Sequence, residues 1–437
     1  MKRIPCPINP NHSIYERDLK RHVRICPDRR HDVSVLPYFE ENCHALRGLA
    51  YLSERSRAAQ CATPVVEATH DVQDGGDDGV PPAHVVPSTS NGAAAAASTR
   101  FTHRDLTPES LASLCKKVKS LYDLHIAPTI IKSHVPLVVS DGTLRVNMKH
   151  STQHASLTKI LVDRLDRTTP VGEGGQRVFL ELGAGKGGLA FAIAGSLASS
   201  SPKVVPPASN DEVVPLWMVV DIGGFRRKRD GCVSETDHKF HRLRINIKDL
   251  ALDKVPLLLS TSGDAHPPPA LPAPQSSTHL RHQFVGLGKH LCGACTDFAI
   301  SCITSRLPPN DSCDAILLAT CCHHLCELRH LNSLTTTTPP PTNNESTSAV
   351  LSLFDTTFSE EEFAAIVSMT SWAVCGPHMV SAERQQVGYA CKRVIDMMRV
   401  AHLRSVCKFD NVELHEYASE EVTGENVCIV AWRGRAL

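Results

Sequence analysis

Two groups of nucleophilic and basic side chains follow apolar segments of this sequence. The lysine segment, GKHLCG at 288–293, comes directly after the apolar residues 284–287. The cysteine–histidine segment, ATCCHH at 319–324, follows the apolar residues 315–318. Ligands of open α/β sheets bind beyond the carboxyl ends of the strands, so two such segments at strand ends indicate an active site. On these residues alone, buried thiols and hydrogen-bonded structural histidines explain the pattern equally well.

Apolar runs and helical patterns alternate from residue 107 onward. Strands are predicted at 177–182, 216–221, 242–247, 283–287, 314–319, 412–417 and 427–432, and helices at 107–121, 187–198, 359–373 and 386–403. Near-continuous apolar strands separated by helices predict an α/β fold with a mostly parallel sheet covered on both faces. We expect the last two strands to form an antiparallel hairpin at one edge.

The first of these strands runs into a glycine-rich loop, ELGAGKGG at 181–188. Gly183, Gly185 and Gly187 match the loop of S-adenosylmethionine-dependent methyltransferases, whereas Gly188 in the third place gives the dinucleotide pattern. Glu181, two positions before the first glycine, resembles the acidic residue of methyltransferase loops. It favours S-adenosylmethionine over a nicotinamide cofactor or a purely structural turn.

Polar residues at two later strand ends are candidates to bind the ribose and adenine groups of that cofactor. Asp221 ends the second strand, where a carboxylate accepts hydrogen bonds from ribose hydroxyls. Asn246 and Asp249 follow the third strand, where an adenine amino group is read. The predicted sheet resembles that of class I (Rossmann-like) S-adenosylmethionine-dependent methyltransferases, which has seven strands and is mostly parallel.

The N-terminal residues carry a metal-ligand pattern. Cys6, His12, His22 and Cys26 have the spacing C-x5-H-x9-H-x3-C. Two sulfur and two imidazole ligands suit a closed tetrahedral zinc site, and so short a segment has almost no apolar core without a metal. His22 and Cys26 lie about one helical turn apart, so both can face one ion.

Composition restricts which partners and which cellular compartment are expected for this protein. The formal net charge of the 437 residues is zero, so nucleic-acid contacts must rest on local basic patches. The chain has 17 cysteines but shows no signal peptide, and no apolar run is long enough to span a membrane. We expect a soluble intracellular protein of the nucleus or cytoplasm with reduced thiols, bound to no membrane and monomeric.

Changes in composition divide the chain into three parts. We predict a zinc finger at 1–32, a connecting segment at 33–106 that is largely flexible from residue 62, and a catalytic domain at 107–437. Polar and proline-rich stretches near 199–211, 261–278 and 335–347 are expected to be disordered surface insertions in that domain.

The finger and the catalytic domain together resemble one known family. CPINPNH at 6–12 with His22 and Cys26 is similar to the CHHC zinc finger of a minor-spliceosome protein and of eukaryotic tRNA 2′-O-methyltransferases. The rest resembles the tRNA methyltransferases that modify the ribose of the fourth nucleotide, in the acceptor stem. That resemblance rests on Lys149-His150 with Gln153 and Ser156, and on 181–188, 221–230, 244–250, 288–297, 321–324 and 388–399. It implies S-adenosylmethionine and zinc as cofactors and tRNA as partner. Asn246 departs from it, since we expect Asp there.

Ribose methylation requires a base, and the lysine segment offers two. Base-amine methyltransferases place an Asn-Pro-Pro-Tyr type tetrapeptide after the fourth strand, whereas this chain has Lys289 and His290 there. Either side chain, its pKa lowered by burial, is a candidate to take the hydroxyl proton. His323 and His324 are expected to flank the same crevice as catalytic or orienting groups. Alternatively, Cys292, Cys321 and Cys322 with these two histidines form a second zinc site.

Two groups of basic residues are candidates to contact the phosphates of the substrate. Arg226 and Arg227 form the first, and Lys392, Arg393 and Arg399, a stripe on one predicted helix, form the second. Solvated surface charge is the alternative for both. The sequence also leaves two other functions open: methylation of a protein or small molecule, and non-enzymatic RNA binding by the finger with a degenerate cofactor domain.

Overall fold

The computed structural model describes residues 2–8, 13–26, 33–45, 100–135, 146–168, 175–200, 214–224, 239–259, 281–331, 335–336, 350–375 and 379–434. Residues 62–99 of the predicted linker lie outside these ranges, as do most of the three predicted insertions. Two edges of those insertions are described. The helix after the glycine loop continues to Ser200, and Thr335–Thr336 forms a short strand.

The N-terminal residues form a ββα unit. Strands β1 (Arg3–Pro5) and β2 (Ser13–Tyr15) pair antiparallel, and helix α1 (Leu19–Ile25) follows. Helix α1 carries His22, and Cys26 comes directly after its last residue. The helical turn predicted between these two residues is confirmed.

One eight-stranded sheet forms the centre of the catalytic region. Its strands are β3 (Ile130–Lys132), β4 (Gly175–Leu182), β5 (Leu216–Asp221), β6 (Lys239–Arg244), β7 (Arg281–Cys292), β8 (Ser312–Cys321), β12 (Asn411–Glu416) and β13 (Val427–Trp432). Their order is β3-β12-β13-β8-β7-β4-β5-β6. Among the described strands of this sheet, only β13 runs antiparallel to its neighbours.

This arrangement confirms the predicted sheet and its terminal hairpin, to which the short β3 adds an eighth strand. A separate three-stranded sheet contains β9 (Thr335–Thr336), β10 (Val350–Leu353) and β11 (Thr356–Phe358).

Helices cover both faces of the large sheet. They are α2 (Pro108–Leu121), α3 (Val146–Leu165), α4 (Gly188–Ser200), α5 (Pro256–Leu259), α6 (Ala294–Ser305), α7 (Glu360–Met369) and α8 (Ala382–Ser405). Alternate residues of each strand face opposite cores. Val178 and Leu180 of β4 pack with α2, α6, α7 and α8, whereas Phe179 packs with α3 and α4.

The aromatic centre of the second core is formed by Phe179 and Trp217. Their rings stack with centroids 4.2 Å apart, and both side chains are buried. Burial on both faces explains why the strands read as continuous apolar runs. Within the described residues, the structure contains no helix that is both long and apolar enough to cross a bilayer.

Candidate active site

Strand β7 continues through the lysine segment instead of ending before it. Lys289 pairs with Ala319 of β8, but the next pair is Leu291 with Thr320, so His290 is an extra residue in β7. His290 has φ 63°, the left-handed region that is uncommon for residues with a side chain. Such bulges redirect side chains at strand ends and are frequent beside active sites. The predicted strand end at residue 287 was too early, and the bulge sets where Lys289 and Cys292 lie.

Lys289 is 7% exposed and contacts two histidines of α3. Its Nζ lies 3.3 Å from His150 Nδ1 and 3.2 Å from His154 Nε2. The two histidines are four residues apart, so they share one face of the helix. Burial lowers the pKa of Lys289 to about 8, and the negative charge of Glu181 opposes this shift. Lys289 is therefore ready to lose or gain a proton near neutral pH, as a catalytic base must.

His154 connects this lysine to the glycine loop. A Cβ atom at Gly188 would lie 2.9 Å from His154 Cε1, so a side chain here would require the imidazole to shift. Gly188 is the first residue of α4, so the amino end of that helix packs directly on His154. His154 therefore contacts both the base candidate and the end of the loop.

The glycine loop has the backbone shape that a cofactor cradle needs. Gly183, Gly185 and Gly187 have φ values of 63°, 54° and 79°, which side chains disfavour. Asp221 Oδ2 accepts a 2.8 Å hydrogen bond from the Gly185 N–H, and its Oδ1 accepts a 2.7 Å bond from the Gly223 N–H. Asp221 therefore fixes the loop from the neighbouring strand.

Glu181 lies beneath the loop and is 3% exposed. Its Oε2 accepts a 3.0 Å hydrogen bond from the backbone N–H of Ala190, in the first turn of α4. Burial raises the pKa of Glu181 to about 7, while the Ala190 N–H and the charges of Arg242 and Lys289 act against that shift. The Glu181 carboxylate thus binds the amino end of α4 and also interacts electrostatically with Lys289.

The adenine-side candidates have local partners. Asn246 caps a short 3₁₀ helix, its Oδ1 accepting a hydrogen bond from the Lys248 N–H at 3.1 Å. Asp249 is 8% exposed, and its Oδ1 accepts a 2.6 Å bond from the backbone N–H of Asn42. Asp249 thereby holds the segment 33–45 against the catalytic region.

The docking of the segment 33–45 was not predicted. His44 is 4% exposed, with Nε2 2.8 Å from the Leu250 carbonyl oxygen and Nδ1 3.0 Å from Ser301 Oγ. Glu40 forms ion pairs with Lys254 and Arg306. These polar residues carry no periodic pattern, so the contact could not be predicted from the residue types.

Three cysteine thiols meet at the ends of β7 and β8. The Sγ atoms of Cys292, Cys321 and Cys322 all lie within 4.8 Å of one another, and those of Cys292 and Cys321 are 3.8 Å apart. Cys321 is buried and the other two are partly exposed. We name these residues the thiol cluster.

The two histidines after this cluster differ. His324 is exposed. His323 is 1% exposed, with Nε2 2.8 Å from Oδ1 of the buried Asp396. The expectation that His323 lines the crevice is wrong, because its side chain lies in the core with a carboxylate partner.

The prediction that the basic stripe of α8 contacts RNA phosphates is also wrong. Arg393 Nη2 lies 2.9 Å from Asp396 Oδ2, Arg399 forms a bidentate pair with Asp297 at 2.8 and 2.9 Å, and Lys392 pairs with Glu425. All three cations are 1–2% exposed. Their carboxylate partners are the buried Asp297 and Asp396 and the partly exposed Glu425, and the three cations face away from solvent. The other phosphate candidates, Arg226 and Arg227, lie outside the described residues.

The N-terminal finger brings three of its four predicted ligands together. Cys6 Sγ lies 3.1 Å from His22 Nε2 and 3.7 Å from Cys26 Sγ, and all three side chains are buried. His12 lies outside the described residues. Among the described side chains of the finger, Ile14 is the one buried aliphatic residue, as expected for a unit that a metal holds together.

The sheet order, glycine loop and crevice define a class I S-adenosylmethionine-dependent methyltransferase. The family model described as Methyltransferase TRM13 matches residues 152–381 and 377–432, and the U11-48K-like CHHC zinc finger matches residues 3–27. The chain therefore belongs to the TRM13 methyltransferase family. The predicted cofactors, S-adenosylmethionine and zinc, are confirmed with it.

Curated relatives match over almost the whole chain. The "tRNA:m(4)X modification enzyme TRM13" of Vanderwaltozyma polyspora is 24% identical over 469 residues, covering 99% of this chain and 90% of the relative. That of Schizosaccharomyces pombe is 25% identical, covering 99% and 96%. The human homolog is 23% identical, covering 98% and 86%. Among solved structures, the CurJ carbon methyltransferase is 14% identical with a TM-score of 0.29, covering 66% of this chain and 56% of that one.

Proposed function

We propose that this protein transfers a methyl group from S-adenosylmethionine to the 2′-hydroxyl of the fourth nucleotide in the acceptor stem of tRNA. The names of the curated relatives support a tRNA substrate. The observation that favours a ribose hydroxyl over a base amine is the buried Lys289 with its two histidine partners. An aromatic amine needs an acceptor and a stacking surface, whereas a hydroxyl needs a base.

The contacts of Lys289 suit proton abstraction. In its neutral form the amine donates two N–H groups, to His150 Nδ1 and His154 Nε2, and keeps a free lone pair. That lone pair accepts the hydroxyl proton, and the resulting ammonium donates its third N–H to the ribose oxygen. A pKa of about 8 keeps part of the lysine neutral at physiological pH.

The surroundings of the loop fit S-adenosylmethionine, which supplies an electrophilic sulfonium methyl group when bound. Close approach of the backbone is required, and side chains at Gly183 or Gly188 would collide with Leu291 or His154. Glu181 and Asp221 place carboxylates at the ends of adjacent strands for the amino and ribose groups. His154 contacts both Lys289 and Gly188, which supports placing the base beside the methyl donor.

The finger is the best described candidate for docking the tRNA. Lys20 and Arg21 on α1, with Arg3 and Arg17 beside it, have exposed side chains. A-form RNA is recognised through phosphates and 2′-hydroxyls, which exposed cations can contact. Because the cations of α8 are buried, this role falls to the finger and to the predicted pair Arg226 and Arg227. We retain the division into a finger at 1–32, a connecting segment at 33–106 and a methyltransferase domain at 107–437.

Site-specific deoxy substitution tests the proposed target atom. A tRNA with a single 2′-deoxynucleotide at the fourth position should accept no methyl group from the full-length protein. The matched control carries the deoxynucleotide at the third position and should be methylated like the unsubstituted tRNA. Methylation of the fourth-position deoxy substrate at the normal rate would place the acceptor elsewhere.

A further inference from the structure

The thiol cluster has the geometry of a metal site. Within the described part of the chain, it is one of two groups in which at least three metal-ligating side chains converge, the other being the zinc finger. We propose that Cys292, Cys321 and Cys322 bind a second zinc ion as thiolates, with water as the fourth ligand. This proposal concerns the catalytic domain alone and does not depend on which substrate is methylated.

The sulfur spacing supports zinc over a disulfide. Zn–S bonds of about 2.3 Å in a tetrahedron place neighbouring sulfurs about 3.8 Å apart. Cys292 Sγ and Cys321 Sγ are 3.8 Å apart, and the two finger sulfurs of Cys6 and Cys26 are 3.7 Å apart. A disulfide requires about 2.0 Å. The thiol cluster therefore has the spacing that the protein's own zinc finger shows.

The backbone is shaped to bring these thiols together. The bulge at His290 shifts the register of β7, so that Cys292 stands opposite Cys321. Cys322 has φ 48°, in the left-handed region, which turns its side chain away from the line of β8. Two consecutive cysteines of a regular strand point to opposite faces, yet here both reach one point. Two unusual backbone conformations thus converge on the same three sulfurs.

Exposure and charge suit an open three-thiolate site. Cys321 is buried, whereas Cys292 and Cys322 are partly exposed, so water reaches the position that the thiols leave free. Binding of Zn²⁺ releases three thiol protons to solvent and leaves a net charge of minus one on the site. Lys289 comes three residues before Cys292, and the exposed His324 comes two residues after Cys322. The ion would fasten the end of β7 to the end of β8 and so hold the bulge that positions Lys289.

Zinc stoichiometry of the full-length protein tests this proposal. We expect two zinc ions per chain in the wild type after dialysis against a weak chelator. Cys26→Ser should retain one, Cys322→Ser should retain one, and the double variant should retain none. Cys115→Ser, a partly buried cysteine of α2 outside both clusters, is the matched control and should retain two. One zinc in the wild type and in Cys322→Ser would overturn the proposal.

Cobalt substitution provides a readout that does not require Cys322→Ser to fold. Apo Cys26→Ser protein reloaded with Co²⁺ should show the strong thiolate-to-metal absorption and the tetrahedral d–d bands of a three-sulfur site. Cys26→Ser protein that is folded by circular dichroism but gives only the weak spectrum of hydrated cobalt contradicts a metal at the thiol cluster. Quantitative formation of a Cys292–Cys321 disulfide in the freshly purified protein also contradicts it.

Discussion

Buried charges occur in two regions of this molecule with opposite consequences. Beneath α8, Asp396 contacts His323, Arg393 and Arg399, and Arg399 also pairs with Asp297. In the crevice, Lys289 has two imidazole partners and interacts only through space with the single carboxylate of Glu181. The first region is a network of direct ion pairs. In the second, no carboxylate of the described residues contacts the lysine.

The pKa shifts reflect this difference. Burial alone would raise the pKa of Asp396, but the charges of His323, Arg393 and Arg399 together hold it below its usual range. Burial lowers the pKa of Lys289 to about 8 and raises that of Glu181 to about 7, toward the neutral forms of both. A direct ion pair fixes the charge of a buried group, whereas the protonation of a buried group without one is adjustable. Burial of a cation therefore does not by itself distinguish a structural residue from a catalytic one.

The largest expected effect is on chemistry. Lys289→Ala should lower the single-turnover rate of methyl transfer by about 10²–10⁴-fold, the usual contribution of a general base. Its affinity for S-adenosylmethionine, measured by calorimetry, should stay within about threefold of the wild type, since the glycine loop is intact. A wild-type rate for this variant would show that Lys289 is a structural residue and not the base.

Disruption of the ion-pair network should affect stability. Asp396→Ala leaves Arg393, Arg399 and His323 without their shared carboxylate and should cost about 3–5 kcal/mol of unfolding free energy. Chemical denaturation monitored by circular dichroism measures this loss. The comparison fails if the variant is as stable as the wild type but inactive, because Asp396 would then serve catalysis.

A smaller effect is expected at His154, which we regard as a positioning residue for Lys289. His154→Ala removes a hydrogen-bond acceptor of the Lys289 amine and should slow methyl transfer roughly tenfold, in line with the strength of one such bond. His154→Gln retains an acceptor and should recover most of the rate. Equal rates for the two variants would show that only the packing of this side chain against Gly188 matters.

The smallest effect is expected for an exposed pair on the same helix. Lys159 Nζ and Asp163 Oδ2 are 2.7 Å apart on α3, with both side chains largely in solvent. Asp163→Asn should change the unfolding free energy by only about 0.3–0.5 kcal/mol and leave the methylation rate unchanged. A loss above about 2 kcal/mol would mean that exposure does not separate weak from strong pairs in this protein.

The sequence predicted the sheet well because its strands are buried on both faces. Segments such as 216–220 and 427–432 are apolar throughout, and the strands predicted at 216–221 and 427–432 have the observed bounds. The glycine loop was equally clear, because positive φ at Gly183, Gly185 and Gly187 requires this residue type.

The site was predicted less completely because its partners are distant in the chain. Lys289 was found from its place at a strand end, but His150 and His154 lie about 140 positions earlier on α3, which was not predicted. Their spacing of four residues was the available signal. The bulge at His290 could not be predicted, since nothing in the residue types marks a register shift.

The stripe on α8 was misinterpreted for a related reason. Arg393 and Arg399 read as a basic surface because their partner Asp297 is remote in sequence. The nearer clue was Asp396, three residues from each arginine, which indicates i, i+3 ion pairs. Basic residues on an otherwise apolar helix therefore need their acidic neighbours counted before a surface role is assigned.

The pH dependence of single-turnover methyl transfer tests the central claim, that Lys289 takes the proton from the ribose hydroxyl, most directly. The neutral amine is the active form, so the rate should rise about tenfold per pH unit up to about pH 8 and then level off. His150 and His154 contact the amine, and the charge of Glu181 acts on it. The pKa of Glu181 is about 7, so this carboxyl should shape only the acidic limb. In Lys289→Ala the residual rate should lose the inflection near pH 8. A wild-type rate that is flat from about pH 6 to 9, or an inflection that persists in Lys289→Ala, would contradict the account.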